Sequence, residues 1–179
     1  MPINKNGILN KEEKVVIIHD DFVLPNKDRN RTKQYFNKKG RYHQGVFEPI
    51  NKKKCLNYRY HLDISYRSSW EQKFYAYLDN TNSIIAWGVE IFQILYYDPI
   101  RQRQGLYIPD VYFEYIGVDK KIHRVMAEIK PKKEADITKA SNGYDKLAYA
   151  RNMCKWKSAI EYCKKRNIEF KVLTEDELL

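Results

Sequence analysis

The clearest alternation of apolar and polar residues along the chain begins near residue 65. Ser68 to Glu71 has the S-x-x-E form of a helix-capping box, which predicts a helix that begins there and ends at about Asp79. Apolar residues then recur at i, i+4, i+7 and i+8, the spacing of one face of a helix. The residues predicted to form this buried face are Trp70, Phe74, Tyr77 and Leu78.

After this helix, the pattern changes to runs of β-branched and aromatic residues, which are typical of strands. Polar and glycine-containing segments separate the runs and predict turns between them. Consecutive strands joined by short turns form an antiparallel meander. The predicted strands are 84–97, 106–116 and 122–130, with a turn at 117–121.

The last third of the chain predicts a long helix over 144–166, a strand over 168–172 and a short terminal turn or helix at 174–177. Together with the meander, this order predicts an α/β fold with a mixed β-sheet flanked by helices. The buried side of the long helix is predicted to hold Met153, Trp156, Ile160 and Cys163. Its cationic residues are Arg151, Lys155, Lys157, Lys164 and Lys165.

The first sixty residues are loosely organised and differ from the rest in charge: 15–18 and 22–24 allow a short strand or turn, and no helical or strand period follows Pro25. Residues 1–60 hold 14 Lys and Arg against 6 Asp and Glu, whereas residues 61–179 hold 19 against 17. We therefore divide the chain into a basic N-terminal extension or arm, 1–60, and a core, 61–179. Such an uneven charge is typical of a protein that meets nucleic acid, although a solvated lysine-rich tail would look the same.

Several classes of protein do not fit the sequence. No apolar stretch has the length of a membrane-spanning helix, and the N-terminus has no pattern of a signal peptide. The three cysteines form no C-x-x-C pair, and no glycine-rich phosphate-binding loop is present. We expect a soluble protein from a reducing compartment.

The candidate chemistry lies on the second and third predicted strands. If the turn between them centres on Asp119, opposed residue numbers sum to 238, which places Asp110 opposite Glu128. Lys130 shares a face with Glu128 because side chains alternate along a strand. Two facing carboxylates repel unless a cation lies between them, and Mg²⁺ prefers such ligands.

Helical Glu71 is the candidate for a further carboxylate of this site, and Glu90 on the first strand is a weaker one. A purely structural reading exists for each part. Pro-Asp and Glu-x-Lys pairs are common at sheet edges, and Glu71 is also the natural partner of a Ser68 cap. The combination of all these elements favours a site over chance.

The same residues resemble the restriction-endonuclease-like, or PD-(D/E)XK, nucleases. More narrowly, they resemble the head completion nucleases of T-even-like tailed bacteriophages, over roughly residues 40–179, and more distantly the endonuclease subunit of heteromeric transposases. Residues 1–35 lie beyond the family pattern. The motifs that carry the resemblance are Tyr66 to Glu71, Trp87 to Glu90, Tyr107 to Asp110 and Glu128 to Pro131.

The resemblance implies a Mg²⁺-dependent DNA nuclease, with Mn²⁺ as an alternative ion, that acts in head completion and head–tail joining after DNA packaging. Its catalytic residues would be Glu71, Asp110, Glu128 and Lys130, with Asp110, Glu128 and Glu71 on the metal. Its partners would be double-stranded DNA and the head, portal and neck proteins of a phage, without a membrane. It would act in the host cytoplasm during assembly or in the virion.

Two other functions remain open from the sequence. The first is a non-catalytic assembly or DNA-binding adapter with a nuclease-like fold. The second is an endonuclease of transposase or resolvase type. Endonuclease action is expected in the enzymatic cases, and the sequence leaves exonuclease action as an addition.

Overall fold

The computed structural model of the protein describes residues 44–139 and 141–178. Most of the predicted arm, residues 1–43, therefore lies outside the described residues. The strands are β1 (Gly45–Val46), β2 (Ser65–Tyr66), β3 (Ile84–Val89), β4 (Ile94–Asp98), β5 (Arg103–Tyr107), β6 (Val111–Ile116), β7 (Ile122–Ile129) and β8 (Glu169–Leu173). The α-helices are α1 (Leu56–Arg59), α2 (Ser69–Asn80), α3 (Lys132–Ala135), α4 (Gly143–Lys164) and α5 (Glu175–Leu178), and short 3-10 helices occupy Lys52–Lys54 and Ile137–Lys139.

A four-stranded mixed sheet in the order β3-β6-β7-β8 forms the centre of the fold. β6 is antiparallel to both of its neighbours, β3 and β7, whereas β8 is parallel to β7. In the β6–β7 hairpin, Val111 pairs with Ala127 and Ile116 with Ile122. The predicted turn, the predicted register and the mixed sheet are confirmed.

Helices cover both faces of this sheet. Successive residues of a strand point to opposite faces, so the apolar residues of these strands form a buried layer on each side. On one face, Ala86, Tyr112 and Met126 pack under α4. On the other face, Trp87 and Val111 pack against α2. The predicted α/β architecture, a mixed sheet flanked by helices, is therefore confirmed.

The first two predicted strands are wrong as continuous strands, because each is broken where the chain leaves the central sheet. The segment 84–97 divides at Glu90, which has a left-handed φ of 52° that ends β3. The segment 106–116 divides at Pro109, which has no N–H to donate to a ladder. The outer pieces, β4 and β5, pair with each other in a separate hairpin.

Helix α2 begins at the predicted cap but turns a different face to the core. Ser68 is its N-cap, and its Oγ accepts a hydrogen bond from the Glu71 N–H at 3.1 Å. The buried residues of the helix are Tyr75, Leu78 and Asp79, whereas Tyr77, predicted to be buried, is 57% exposed. The apolar spacing could not anticipate that Asp79 is buried, because backbone N–H groups of Ile50 and Asn51 outside the helix satisfy its carboxylate.

Helix α4 shows a similar rotation relative to the prediction. Trp156, Ala159 and Cys163 face the sheet, and Met153 and Ile160 do not. Met153 and Ile160 instead line an open apolar groove together with residues of β8. The prediction is confirmed for Trp156 and Cys163 and is wrong for Met153 and Ile160, because the helix face that meets the sheet is centred on Ala159.

The described part of the predicted arm, residues 44–60, packs on the body. Cys55 is fully buried and forms an isolated bridge with Trp87. The Asn57 side chain donates to the Val89 carbonyl at 2.9 Å and accepts from the Val89 N–H at 2.7 Å. These contacts fix the end of β3 beside the break at Glu90. The division of the chain at residue 60 stays a prediction.

All three cysteines, Cys55, Cys154 and Cys163, are free thiols. In the part of the chain that the structure describes, no helix combines the length and apolarity needed to cross a bilayer.

Candidate active site

The β6–β7 hairpin brings the predicted residues together at one end of the sheet. Asp110 directly precedes β6, Glu128 lies at the end of β7, and Lys130 directly follows that strand. Continuing the observed register by one residue from the pair Val111 and Ala127 places Asp110 opposite Glu128. Asp110 also contacts β7 directly, because its Oδ2 accepts a hydrogen bond from the Ile129 N–H at 2.8 Å.

Glu128 is a buried carboxylate whose two oxygens have different partners. Its side chain forms an ion pair with Lys130, with 3.1 Å between Oε1 and Nζ. Its Oε2 accepts a hydrogen bond from the Tyr107 hydroxyl at 2.8 Å. Because a carboxylate offers about four acceptor positions, these contacts orient Glu128 and leave it able to accept further ligands.

The electrostatics of the site favour an added cation. Burial raises the pKa of Asp110 well above its ordinary value, and the nearby Glu128 raises it further, while Lys130 and the Ile129 N–H oppose the shift. Burial also lowers the pKa of Lys130, but Glu128 and Asp110 more than offset this, so its pKa lies above the ordinary value. Two carboxylates thus share one ammonium group.

Glu71 lies near this cluster but has a structural role of its own. Its Oε2 accepts a hydrogen bond from the Arg67 N–H at 2.7 Å, and its Oε1 accepts one from the Ser68 hydroxyl at 3.2 Å. Its charge also acts on Asp110, whose pKa it helps to raise. A role for Glu71 in catalysis or metal binding stays a prediction.

Glu90, the weaker candidate, contacts the site through its backbone. Its N–H donates to the Asp110 carbonyl at 3.0 Å, across the point where β3 and β6 end. Its side chain forms an ion pair with Arg67, whose guanidinium also feels the charges of Glu71 and Asp110. Glu90 therefore joins two segments that border the site.

Residues outside the predicted set also belong to this region. Tyr107 holds Glu128, and Lys155 of α4 places its Nζ 5.9 Å from the centre of the Tyr107 ring. Arg67 pairs with Glu90 and is influenced by the charges of Glu71 and Asp110. Tyr107 and Arg67 belong to the motifs Tyr107 to Asp110 and Tyr66 to Glu71. These motifs were the sequence feature that could have indicated both residues as part of the site. No local pattern distinguishes Lys155 from the other cations of α4.

The donor set fits a hard divalent cation that keeps much of its hydration. Within residues 44–139 and 141–178, no group of three or more His, Cys, Asp or Glu side chains is arranged to hold a metal. Mg²⁺ is usually bound by only one or two carboxylates together with water and substrate phosphate. Asp110 and Glu128 supply these two carboxylates, and Asp110 Oδ1 has no hydrogen-bond partner among the described residues.

A mixed sheet between two helices, with an aspartate before one strand and Glu-x-Lys on its hairpin partner, defines the class of restriction-endonuclease-like proteins. Residues 81–175 match the family described as TnsA-like endonuclease N terminal. This chain belongs to that family. The match spans the central sheet and α4, so it includes Asp110, Glu128 and Lys130, whereas Glu71 lies before it.

A second comparison relates the chain to a named phage protein. The chain is 35% identical to the head completion nuclease of Enterobacteria phage T4 over 125 residues. The match covers 64% of this chain and 81% of that relative. The resemblance stated from the motifs, both to the head completion nucleases and to the transposase endonuclease, is therefore confirmed.

Proposed function

We propose that this protein is a Mg²⁺-dependent deoxyribonuclease that acts in the completion of phage heads. The observation that carries the proposal is the pair of facing carboxylates, Asp110 and Glu128, next to Lys130 on one hairpin. Membership in an endonuclease family and similarity to a head completion nuclease support the same conclusion.

In this proposal, Asp110 and Glu128 hold the metal, and Glu71 assists through the metal or through a water molecule. A bound Mg²⁺ would polarise a phosphoryl oxygen and lower the pKa of a water molecule. Lys130 lies beside Glu128 and would help to neutralise charge on the phosphate. Tyr107 keeps the Glu128 carboxylate in one orientation through its hydroxyl hydrogen bond.

The biological setting belongs to the same proposal. The net charge of +10 favours association with double-stranded DNA through its backbone. The T4 relative is named a head completion nuclease. We propose in addition that this protein acts in head–tail joining after packaging, with head, portal and neck proteins as partners. The place of action would be the host cytoplasm during assembly or the virion.

Plasmid cleavage by the purified full chain tests the activity. We expect supercoiled DNA to be cut with Mg²⁺ or Mn²⁺ and to remain intact with EDTA. Because each variant loses a charge at the reacting centre, Asp110→Asn, Glu128→Gln and Lys130→Met should each reduce the rate by at least about 100-fold. The matched controls are exposed residues, Asp63→Asn and Lys121→Met.

The substrates separate the remaining alternatives. Cutting of closed circles indicates endonuclease action, and digestion of linear DNA from its ends adds exonuclease action. Preference for a four-way junction would favour a resolvase. Equal cutting by the site variants and the controls would contradict the assigned site, and tight DNA binding without any cleavage would favour the adapter.

A further inference from the structure

Lys155 extends from α4 toward the same carboxylate that the β6–β7 hairpin presents. Its Nζ lies 5.8 Å from the centre of the Tyr96 ring and 5.9 Å from that of the Tyr107 ring. The Tyr107 hydroxyl in turn donates to Glu128 Oε2 at 2.8 Å. The Lys155 ammonium thus lies beside the tyrosine that holds Glu128, within the electrostatic influence of that carboxylate.

The charges around Lys155 differ from those around the neighbouring cations. Lys130 is paired with Glu128, and the Arg151 Nε lies 3.1 Å from an Asp98 oxygen. Lys155 forms no ion pair or hydrogen bond with any described residue, and its ammonium group lies over the rings of Tyr96 and Tyr107. Burial lowers the pKa of Lys155, as do Lys130 and Arg151, against the opposing charges of Glu128 and Asp98.

An ammonium group that is half-buried without a partner anion is costly unless an anion arrives. The two tyrosine rings hold the side chain in place and attract its charge only weakly. The anion that the proposed function brings to this end of the sheet is a phosphodiester of DNA. A phosphate oxygen would supply the hydrogen-bond acceptor that Lys155 lacks among the described residues.

We infer that Lys155 is a substrate-contacting catalytic residue that binds a non-bridging oxygen of the phosphodiester to be cut. This inference rests on the proposed function. During hydrolysis, a water oxygen bonds to phosphorus, the bond from phosphorus to a sugar oxygen breaks with its electron pair, and a water proton ends on that sugar oxygen. Lys155 exchanges no proton and stabilises the charge that grows on the phosphate oxygens.

The matched control lies two residues further along the same helix. Lys157 is exposed and lines the apolar groove formed by α4 and β8. Lys155→Met and Lys157→Met change net charge, composition and helix propensity equally. Lys155→Arg keeps the cation, and Lys155→Gln serves as a second neutral variant should Lys155→Met fail to fold.

The first readout is DNA binding without catalysis. Affinity of the full chain for a labelled 20-base-pair duplex is measured in EDTA between 50 and 200 mM KCl. The salt slope is the fall of the logarithm of the binding constant with the logarithm of the KCl concentration, and each lost phosphate contact makes it shallower by about 0.9. Wild type should therefore lose about 3.5-fold more affinity between 50 and 200 mM KCl than Lys155→Met does. Lys157→Met and Lys155→Arg should keep the wild-type slope.

The second readout is the cleavage rate with Mg²⁺, which should fall by about 100-fold for Lys155→Met and remain unchanged for Lys157→Met. An unchanged salt slope in Lys155→Met, or equal effects of both methionine variants, would overturn the inference. If wild type cuts DNA and Lys155→Met cuts equally well, the inference fails and the proposed function stands. If wild type never cuts but the slopes differ as expected, the proposed function fails and the phosphate contact stands; absence of DNA binding overturns both.

Discussion

Replacement of Asp110 by asparagine should stabilise the folded protein at neutral pH when no divalent ion is present. The Asp110 pKa is raised in the fold by burial and by Glu128, so its protonated form is favoured there. The stability that comes from protonation of Asp110 in the fold is therefore fully present below the unfolded pKa of about 3.9. It is lost as the pH rises through the higher folded pKa. Above that window, the ionised carboxylate opposes folding.

The magnitude follows from the spacing of the two carboxylates. Opposed side chains lie about 5 Å apart, which at an effective dielectric constant of about 20 gives a repulsion of roughly 3 kcal/mol. Lys130 and the Ile129 N–H offset part of it. We expect Asp110→Asn to gain about 1–2 kcal/mol, which corresponds to a rise in melting temperature of about 2–8 °C.

Thermal melts in EDTA and in MgCl₂ provide the assay. At 10 mM Mg²⁺ and a Kd of about 1 mM, the ion should stabilise wild type by about 1.4 kcal/mol, or roughly 3–6 °C, and should leave Asp110→Asn nearly unaffected. Asp63→Asn, at an exposed position, should behave as wild type. The reasoning would be refuted if Asp110→Asn were less stable than wild type in EDTA at pH 7, or if it responded equally to Mg²⁺.

Three further substitutions test the elements that hold the site. Tyr107→Phe removes the hydroxyl that orients Glu128, so cleavage should slow by about 10-fold at unchanged DNA affinity; a fully active variant would contradict this. Asn57→Ala leaves both backbone groups of Val89 without their partner, so urea unfolding should show a loss of about 2–3 kcal/mol, and a loss below about 0.5 kcal/mol would contradict it. Ser68→Ala removes the α2 cap and should cost about 1 kcal/mol in the same assay, with no change counting against the cap.

The parts of the fold that local residues determine were predictable from the sequence. The turn at 117–121 and the alternation of β7 fix the register, so the juxtaposition of Asp110 and Glu128 followed from counting residues. The start of α2 followed from Ser68, whose hydroxyl meets a backbone N–H only three residues away. In each case the interacting groups are close in sequence or joined by one tight turn.

The parts that depend on distant contacts were not predictable. The first strand breaks at Glu90, beside Val89, whose two backbone groups bond to the side chain of Asn57, 32 residues earlier in the chain. The exposure of Ile160 depends on which stripe of α4 meets the sheet. The position of Lys155 beside Tyr107 depends on how α4 crosses the sheet, which a single sequence pattern does not encode.

The central claim is that Asp110 and Glu128 hold one divalent ion beside Lys130. Anomalous scattering from crystals of the full chain soaked in MnCl₂ tests it most directly, because Mn²⁺ accepts the same oxygen ligands as Mg²⁺. We predict an anomalous peak in contact with carboxylate oxygens of both residues, and no such peak in Asp110→Asn crystals. A fully occupied Mn²⁺ elsewhere, with the space between Asp110 and Glu128 empty, would contradict the account.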